Sequence, residues 1–228
     1  MNYGIICTGA QGQTIIDDEN SVLHVMAFGA YSVESVDQHY GGWVKVTYDS
    51  PIETDCPPLV FISPDGVGIN IGFQNIGSSR KWTGFTFYIV GRYPANNLNF
   101  SGKFRACGVN PPESSGFGMQ VKDSQNRIVF DSNYKIMRFM GGAQAWVPIE
   151  FVNMSFAFGV WLYSLPWDYG VDSYFLINPF GQKSFADRWF GSPEIGFPDY
   201  SRKTIQLSIA TLKIPAPIIN MPLLAAGM

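Results

Sequence analysis

The sequence contains few charged residues. Only 14% of its 228 residues are Asp, Glu, Lys or Arg, whereas 46% are hydrophobic and 15% are aromatic. An average soluble domain carries roughly 25% charged residues. A surface with so few charges leaves apolar patches exposed, and large exposed patches mark contact sites. The composition therefore predicts a protein that contacts other protein subunits, either as a homo-oligomer or as one of several chains in an assembly.

A basic surface and a membrane-spanning segment are also missing. The net charge of −3 and the pI near 5.3 give no attraction for phosphate backbones, so nucleic acid is not an expected partner. A spanning helix needs about 20 apolar residues, and the uncharged run from Val152 to Trp167 is shorter and contains Asn153 and Pro166. No membrane insertion is expected. The N-terminus lacks the basic start of a signal peptide, which favours synthesis in the cytoplasm.

The cysteines do not form a recognisable framework. Cys7, Cys56 and Cys107 are odd in number, have no CxxC spacing and have no histidine nearby. Neither a disulfide set nor a zinc site is therefore predicted. Cys7 is expected to be a small, buried and unpaired residue of a strand.

Catalytic signatures are absent as well. Neither of the two histidines, His24 and His39, lies in a catalytic motif, and the glycine-rich stretches are typical of turns. His24 is expected on a strand surface. We predict no enzymatic activity, no catalytic residue, no metal and no cofactor. Two alternatives remain open, because Asp17–Glu19 could bind calcium rather than form a solvated turn, and spaced carboxylates could serve a hydrolase. Those carboxylates are Asp168, Asp172, Asp187 and Glu194.

What the sequence does contain is an internal repeat. Residues 3–26 align with residues 117–140 without a gap, at an offset of 114 (117 − 3 = 114). Each copy reads as strand, tight turn, strand, turn, strand. The first turn needs a residue with positive φ, and the two copies supply Gly12 and Asn126, the residue types that tolerate it best. The two copies are predicted to superpose.

The rest of the chain has the two-residue period of strands. Phe85, Phe87 and Ile89, for example, share one face. Pro and Gly separate the apolar runs, and no helical stripe of useful length is present. The predicted fold class is all-β, with two related β-sandwich-like halves. We place an N-terminal β-rich half at residues 1–112 and a C-terminal β-rich half at 113–228.

The repeat resembles a known motif. The stretch FGMQVKDSQNRIVFDSNYKIMRF, starting at Phe117, and its N-terminal copy are similar to the opening motif of small tail-tip proteins of long-tailed bacteriophages. The resemblance implies a virion structural protein of the tail tip or baseplate, made in the host cytoplasm, that docks other tail proteins or fibres. The family has one copy where this chain has two, which leaves open whether both halves do the same work. The alternative is a virion protein that binds a host surface receptor or carbohydrate.

Aromatic residues crowd the segment 161–200. In two predicted loops the rings stand beside charges and glycines, and loops on a rigid scaffold often carry recognition. These rings suit sugar faces or protein hot spots. The alternative is that they fill a core or a subunit interface. The binding residues predicted from this pattern are Trp167, Tyr169, Trp189 and Phe190.

The C-terminal tail, residues 214–228, has no charged residue and contains three prolines. Proline disfavours both a helix and a central strand. The tail is therefore predicted to dock on a neighbouring subunit, where each large side chain would contribute roughly 1.5–3 kcal/mol by burial. The alternative is a tail that folds over its own domain. The assembly residues predicted here are Ile218, Ile219, Leu223 and Leu224.

Overall fold

The alternating apolar pattern produces two seven-stranded antiparallel sheets that pack face to face as a β-sandwich. The structure is a computed structural model and describes residues 7–8, 14–16, 21–34, 41–90, 100–155, 158–170, 172–181, 189–212 and 215–227. Within these ranges the one helical element is a short 3-10 turn at Asn178–Gly181. The predicted all-β fold class is confirmed.

Sheet I contains strands from both halves of the chain, and all its neighbouring strands are antiparallel. Its strands, in spatial order, are β11 (Lys135–Ile136), β3 (His24–Ser32), β8 (Ser101–Gly108), β5 (Leu59–Pro64), β15 (Tyr174–Leu176), β18 (Leu223–Gly227) and β12 (Arg138–Ala143).

Sheet II packs against one face of sheet I and is also antiparallel throughout. Its strands, in spatial order, are β13 (Val147–Asn153), β14 (Phe158–Pro166), β17 (Thr204–Leu212), β16 (Trp189–Phe197), β6 (Gly68–Ser78), β7 (Lys81–Val90) and β4 (Gly41–Ile52).

Aromatic rings fill the space between the sheets. Phe85 and Phe87 are fully buried and Ile89 is 3% exposed, as the alternation along β7 predicts. Phe85 packs edge-to-face on Phe104 of sheet I, with ring centroids 5.2 Å apart, a preferred arrangement for aromatic pairs. One continuous cluster of buried side chains includes strands from both halves of the chain. The sandwich core is therefore shared by the two halves.

Two small hairpins precede β3 and β12. They consist of β1 (Cys7–Thr8) with β2 (Thr14–Ile16), and β9 (Gln120–Lys122) with β10 (Ile128–Asp131). Asn126, in the second hairpin, has a φ of 63°, so the predicted turn chemistry is confirmed there. Gly12 and Asp17–Glu19 lie outside the described residues.

The hairpin registers and the strand order agree with the offset of the repeat. Cys7 pairs with Ile16, and Val121 pairs with Phe130, positions that are 114 apart in the sequence (121 − 7 = 114). Outward from the middle, sheet I reads β5, β8, β3 on one side and β15, β18, β12 on the other. The repeat itself stays a prediction.

The two halves meet in both sheets along a line that we call the seam. In sheet I, Ile62 of β5 pairs with Phe175 of β15. In sheet II, Ile69 of β6 pairs with Gly196 of β16. Each half thus contributes strands to both layers, as a sandwich-like half should. The boundary at residue 112 lies between β8 and β9 and stays a prediction.

Sheet I curls until its two edges meet. β11 and β12 lie at opposite edges of the sheet, yet only Met137 separates them in the sequence. Met137, the link between the two edges, lies on the outer face of sheet I, the face turned away from sheet II. A second apolar cluster lies there, including Phe61, Cys107 and Met137. Phe139 covers it, with its ring centroid 6.2 Å from that of Phe61.

The C-terminal tail belongs to this chain's own sandwich. β18 lies between β15 and β12 in sheet I, and Ile219 and Leu223 are 1% and 2% exposed. Leu224 packs against the outer-face cluster. The prediction that Ile219 and Leu223 dock on a neighbour is therefore wrong, because the prolines precede the strand and do not interrupt it, whereas the docking of the half-buried Leu224 stays a prediction. Ile218 alone remains exposed, at 89%.

His24 is also placed differently from the prediction. Its side chain is fully buried, and its Nε2 accepts a hydrogen bond of 3.1 Å from the backbone N–H of Asp131. The ring meets that of Tyr134 edge-on, at 5.8 Å. The expected surface position is wrong because β11 of the second copy pairs with β3 and the adjoining hairpin packs over this histidine.

Candidate functional site

A run of large exposed apolar side chains lies on β12, on β13 and on the turn that leads into β14. We call it the apolar edge. Between Phe139 and Trp167 the sequence carries a single charged residue, Glu150. The large apolar side chains here are between 38% and 62% exposed, and they are Phe139, Met140, Val147, Ile149, Val152, Met154 and Phe158.

β13 is the outermost strand of this surface. It pairs with β14 on one side, and no strand of the described chain pairs with its other side. All of its residues except Phe151 are exposed. Edge strands present unpaired N–H and C=O groups and are commonly protected by charge, proline or a bulge. β13 has Pro148, Glu150 and a register shift between them, so its protection is partial.

Of the four predicted binding residues, Trp167 lies in the core. It is 2% exposed, its Nε1 donates a hydrogen bond of 3.0 Å to the hydroxyl of Ser173, and its ring contacts Phe175 and Phe197. Its neighbour Tyr169 is partly exposed and stacks edge-on against it at 4.9 Å. Trp167 therefore anchors the loop that carries Tyr169.

Trp189 and Phe190 lie elsewhere. They are the first residues of β16 and pair with Thr211 and Ala210 near the end of β17, whereas the backbone N–H of Trp167 donates to the carbonyl of Lys203 before β17 begins. At a rise of about 3.3 Å per residue, the two ends are roughly 20 Å apart. The structure does not bring the four predicted residues into one site.

Tyr169 instead borders a cleft on the outer face of sheet I. The cleft has a volume of about 420 Å³ and extends from β8 to β12 across β15 and β18. Besides Tyr169, its walls include Lys103, Arg105, Asp172 and Tyr174. No sequence pattern indicates this site, because Lys103 and Arg105 occupy ordinary alternating positions of a strand.

The arrangement of Arg105 is the best-defined feature of the cleft. Its guanidinium carbon lies 4.6 Å from the centroid of the Tyr174 ring, a cation–π contact. One of its terminal nitrogens donates a hydrogen bond of 3.2 Å to the Tyr174 hydroxyl. Its Nε is buried and has no partner in the part of the chain that the structure describes. The guanidinium is thus held in place with unused donors.

A different polar cluster holds the second hairpin. The Asp131 carboxylate accepts hydrogen bonds from the Ser114 hydroxyl and the Gln120 amide, both at 2.8 Å. Burial alone would raise the pKa of Asp131, but these bonds and one from the backbone of Asn133 lower it. The groups satisfy one another within the fold, so the cluster has a structural role.

Two further observations concern metals and membranes. Among the residues described, no group of three or more His, Cys, Asp or Glu side chains is placed to hold a metal ion. Over the same residues, no helix is long and apolar enough to cross a membrane. Comparison with protein families, with curated proteins and with solved structures gives no match for this chain.

Proposed function

We propose that this protein is a structural subunit of a bacteriophage tail tip or baseplate, and that the apolar edge is a contact between subunits. The observation that carries the proposal is the apolar edge itself, an incompletely protected edge strand together with seven large exposed apolar side chains on β12, on β13 and on the turn into β14. Monomeric proteins rarely expose large continuous apolar patches. The likeness of the repeat to tail-tip proteins supports the location in the virion, where other tail proteins or fibres would be its neighbours.

The occupant we propose for the apolar edge is a second copy of this chain. Two copies related by a two-fold axis would pair β13 antiparallel, with Ile149 opposite Ile149 and Glu150 opposite Pro148. This register keeps the two Glu150 carboxylates apart, and like charges directly opposite one another are destabilising. Pro148 has no N–H, so buried apolar side chains would contribute more to the contact than the added hydrogen bonds.

The oligomeric state tests this contact. Sedimentation velocity of the full chain should show a concentration-dependent dimer, and Val147→Lys should shift it to monomer because lysine would be buried beside an apolar strand. Val109→Lys is the matched control, since Val109 is also exposed, at 45% against 58% for Val147, but lies after β8. A wild-type monomer, or equal weakening by both variants, would contradict the contact.

The location in the virion needs a separate test. Gold-labelled antibodies raised against the chain should mark the tail end of purified particles by negative-stain electron microscopy. Labelled heads, or particles that carry no label while the host cytoplasm retains the protein, would count against a tail-tip role. This result is independent of whether β13 forms the contact.

A further inference from the structure

The cleft beside Tyr169 combines two unpaired cations with hydroxyl groups. In the described part of the chain, neither Lys103 nor Arg105 has a carboxylate within ion-pair distance. Lys103 is exposed, whereas Arg105 is half-buried and fixed on Tyr174. A guanidinium has five N–H donors, and Arg105 uses one of them on Tyr174. The Arg105 guanidinium therefore has spare N–H donors, and their planar arrangement suits the two oxygens of a carboxylate.

The charges around the cleft favour an anion that carries a single negative charge. Arg202 stacks on Phe197 nearby, and the charges of Asp65 and Asp172 oppose the effect of burial, which lowers the pKa of Arg202. Lys103, Arg105 and Asp172 line the cleft, and Arg202 and Asp65 lie outside this lining, so three positive charges stand against two negative ones in this region. Asp172 is exposed at the rim and would repel a polyanion, but it can accept hydrogen bonds from hydroxyl groups.

The walls also suit a sugar ring. Tyr169 is partly exposed beside the cleft, and an aromatic face is a common platform for the apolar face of a sugar. Two features fix the position of Tyr169. Trp167 anchors the loop in the core. Gly141 of β12 leaves room for the Tyr169 ring, because a Cβ at this position would come within 2.9 Å of that ring. The volume of about 420 Å³ lies within the roughly 300–1,000 Å³ of small-molecule sites.

We propose that this cleft binds a monosaccharide unit carrying one carboxylate. Arg105 and Lys103 hold the carboxylate, Asp172 accepts hydrogen bonds from the sugar hydroxyls, and Tyr169 packs on the ring. The inference rests on the cleft alone and does not require the apolar edge to be a subunit contact. It would give a virion protein a means of recognising acidic glycans on a host surface.

Calorimetric titration of the full chain with glucuronate and N-acetylneuraminate tests the proposal, with glucose and acetate as probes that lack the carboxylate or the hydroxyls. At least one acidic sugar should bind saturably and at least about tenfold more tightly than glucose or acetate. Arg105→Gln should weaken that binding at least about tenfold. Because Arg105 also contacts Tyr174, Lys103→Gln provides a second variant at an exposed position, with an expected loss of about threefold.

Lys45→Gln is the matched control, since Lys45 is an exposed lysine on β4 of sheet II, and it should bind like the wild type. Val147→Lys should also bind normally, which separates this proposal from the proposed subunit contact. Absence of saturable binding by both acidic sugars, equal affinity for glucose or acetate, or unchanged binding in both cleft variants would overturn the assignment.

Discussion

His24 shows how one buried titratable side chain connects the two copies of the repeat. It lies in β3 of the first copy and accepts a hydrogen bond from the backbone of Asp131 in the second. Burial lowers the pKa of His24 to about 4, although the negative charge of Asp131 opposes the shift. The folded protein therefore holds a neutral imidazole at neutral pH, and the unfolded chain binds a proton near pH 6.5.

This difference predicts a loss of stability in acid. As the pH falls from 6.5 towards 4, the unfolded state binds more protons than the folded state, so the free energy of unfolding should decrease by on the order of 2 kcal/mol. His24→Gln should be less stable at pH 7, because it loses packing, but its stability should change less over this pH window. Urea unfolding at pH 7, 6, 5 and 4.5 measures both, and equal pH dependence in the two proteins would contradict the assignment to His24.

The cysteines allow a second prediction at the residue scale. Cys107 is fully buried in the outer-face cluster, and burial raises the pKa of its thiol to about 12, whereas Cys56 is exposed. Only the thiolate reacts readily with alkylating reagents. Iodoacetamide at pH 8 should modify Cys56 in the native protein and Cys107 only after denaturation in urea, as peptide mass spectrometry can show. Equal labelling of both in the native state would be inconsistent with this core.

At the scale of elements, the strands were predictable and their partners were not. The two-residue period of β7 fixes which of its faces is buried, so Phe85 and Phe87 were assigned correctly from the sequence. Periodicity carries no information about which strands become neighbours. The prolines and the lack of charge in the tail therefore predict docking on a neighbour, although β18 forms an inner strand of sheet I.

The same limit applies to the candidate site. The aromatic residues of segment 161–200 were visible in the sequence, but the pairing of β14, β16 and β17 decides that Trp167 is core and that Trp189 lies far from it. Lys103 and Arg105 are distant in sequence from Tyr169 and meet it only because sheet I joins both halves of the chain. A site made by long-range pairing leaves no local motif.

Adjacent isoleucines in the tail test its placement. Ile219 is 1% exposed and Ile218 is 89% exposed, so the two positions share sequence context but differ in burial. Ile219→Ala should lower the free energy of unfolding by about 2–5 kcal/mol, as cavity-forming substitutions do. Ile218→Ala should change it by no more than about 0.5 kcal/mol. Equal small effects in urea unfolding would indicate that the tail does not pack on this core and would restore the docking interpretation.

At the scale of the whole molecule, the sandwich is continuous across the seam. β5 pairs with β15 and β6 with β16, and buried side chains from both halves form one cluster. If the halves were cut apart, the pairs β5–β15, β6–β16 and β3–β11 would all be broken, and the new edge strands would include the three-residue β15. Unpaired edges and an opened apolar core are both unfavourable. The halves related by the predicted repeat are thus expected to depend on each other for stability.

This dependence gives a prediction for unfolding. Differential scanning calorimetry of the full chain should show a single transition whose calorimetric and van't Hoff enthalpies agree, because opening the seam exposes core in both halves at once.

Residues 1–112 and 113–228 expressed separately should be poorly folded by circular dichroism, and mixing or co-expressing them should restore β-structure through β5–β15 and β6–β16 pairing. Phe175→Asp, which places a charge in the fully buried seam position opposite Ile62, should prevent this complementation, whereas Tyr200→Asp, at a position that is 82% exposed, should not. Two resolved transitions, or two halves that each fold alone, would show that the seam joins independent domains.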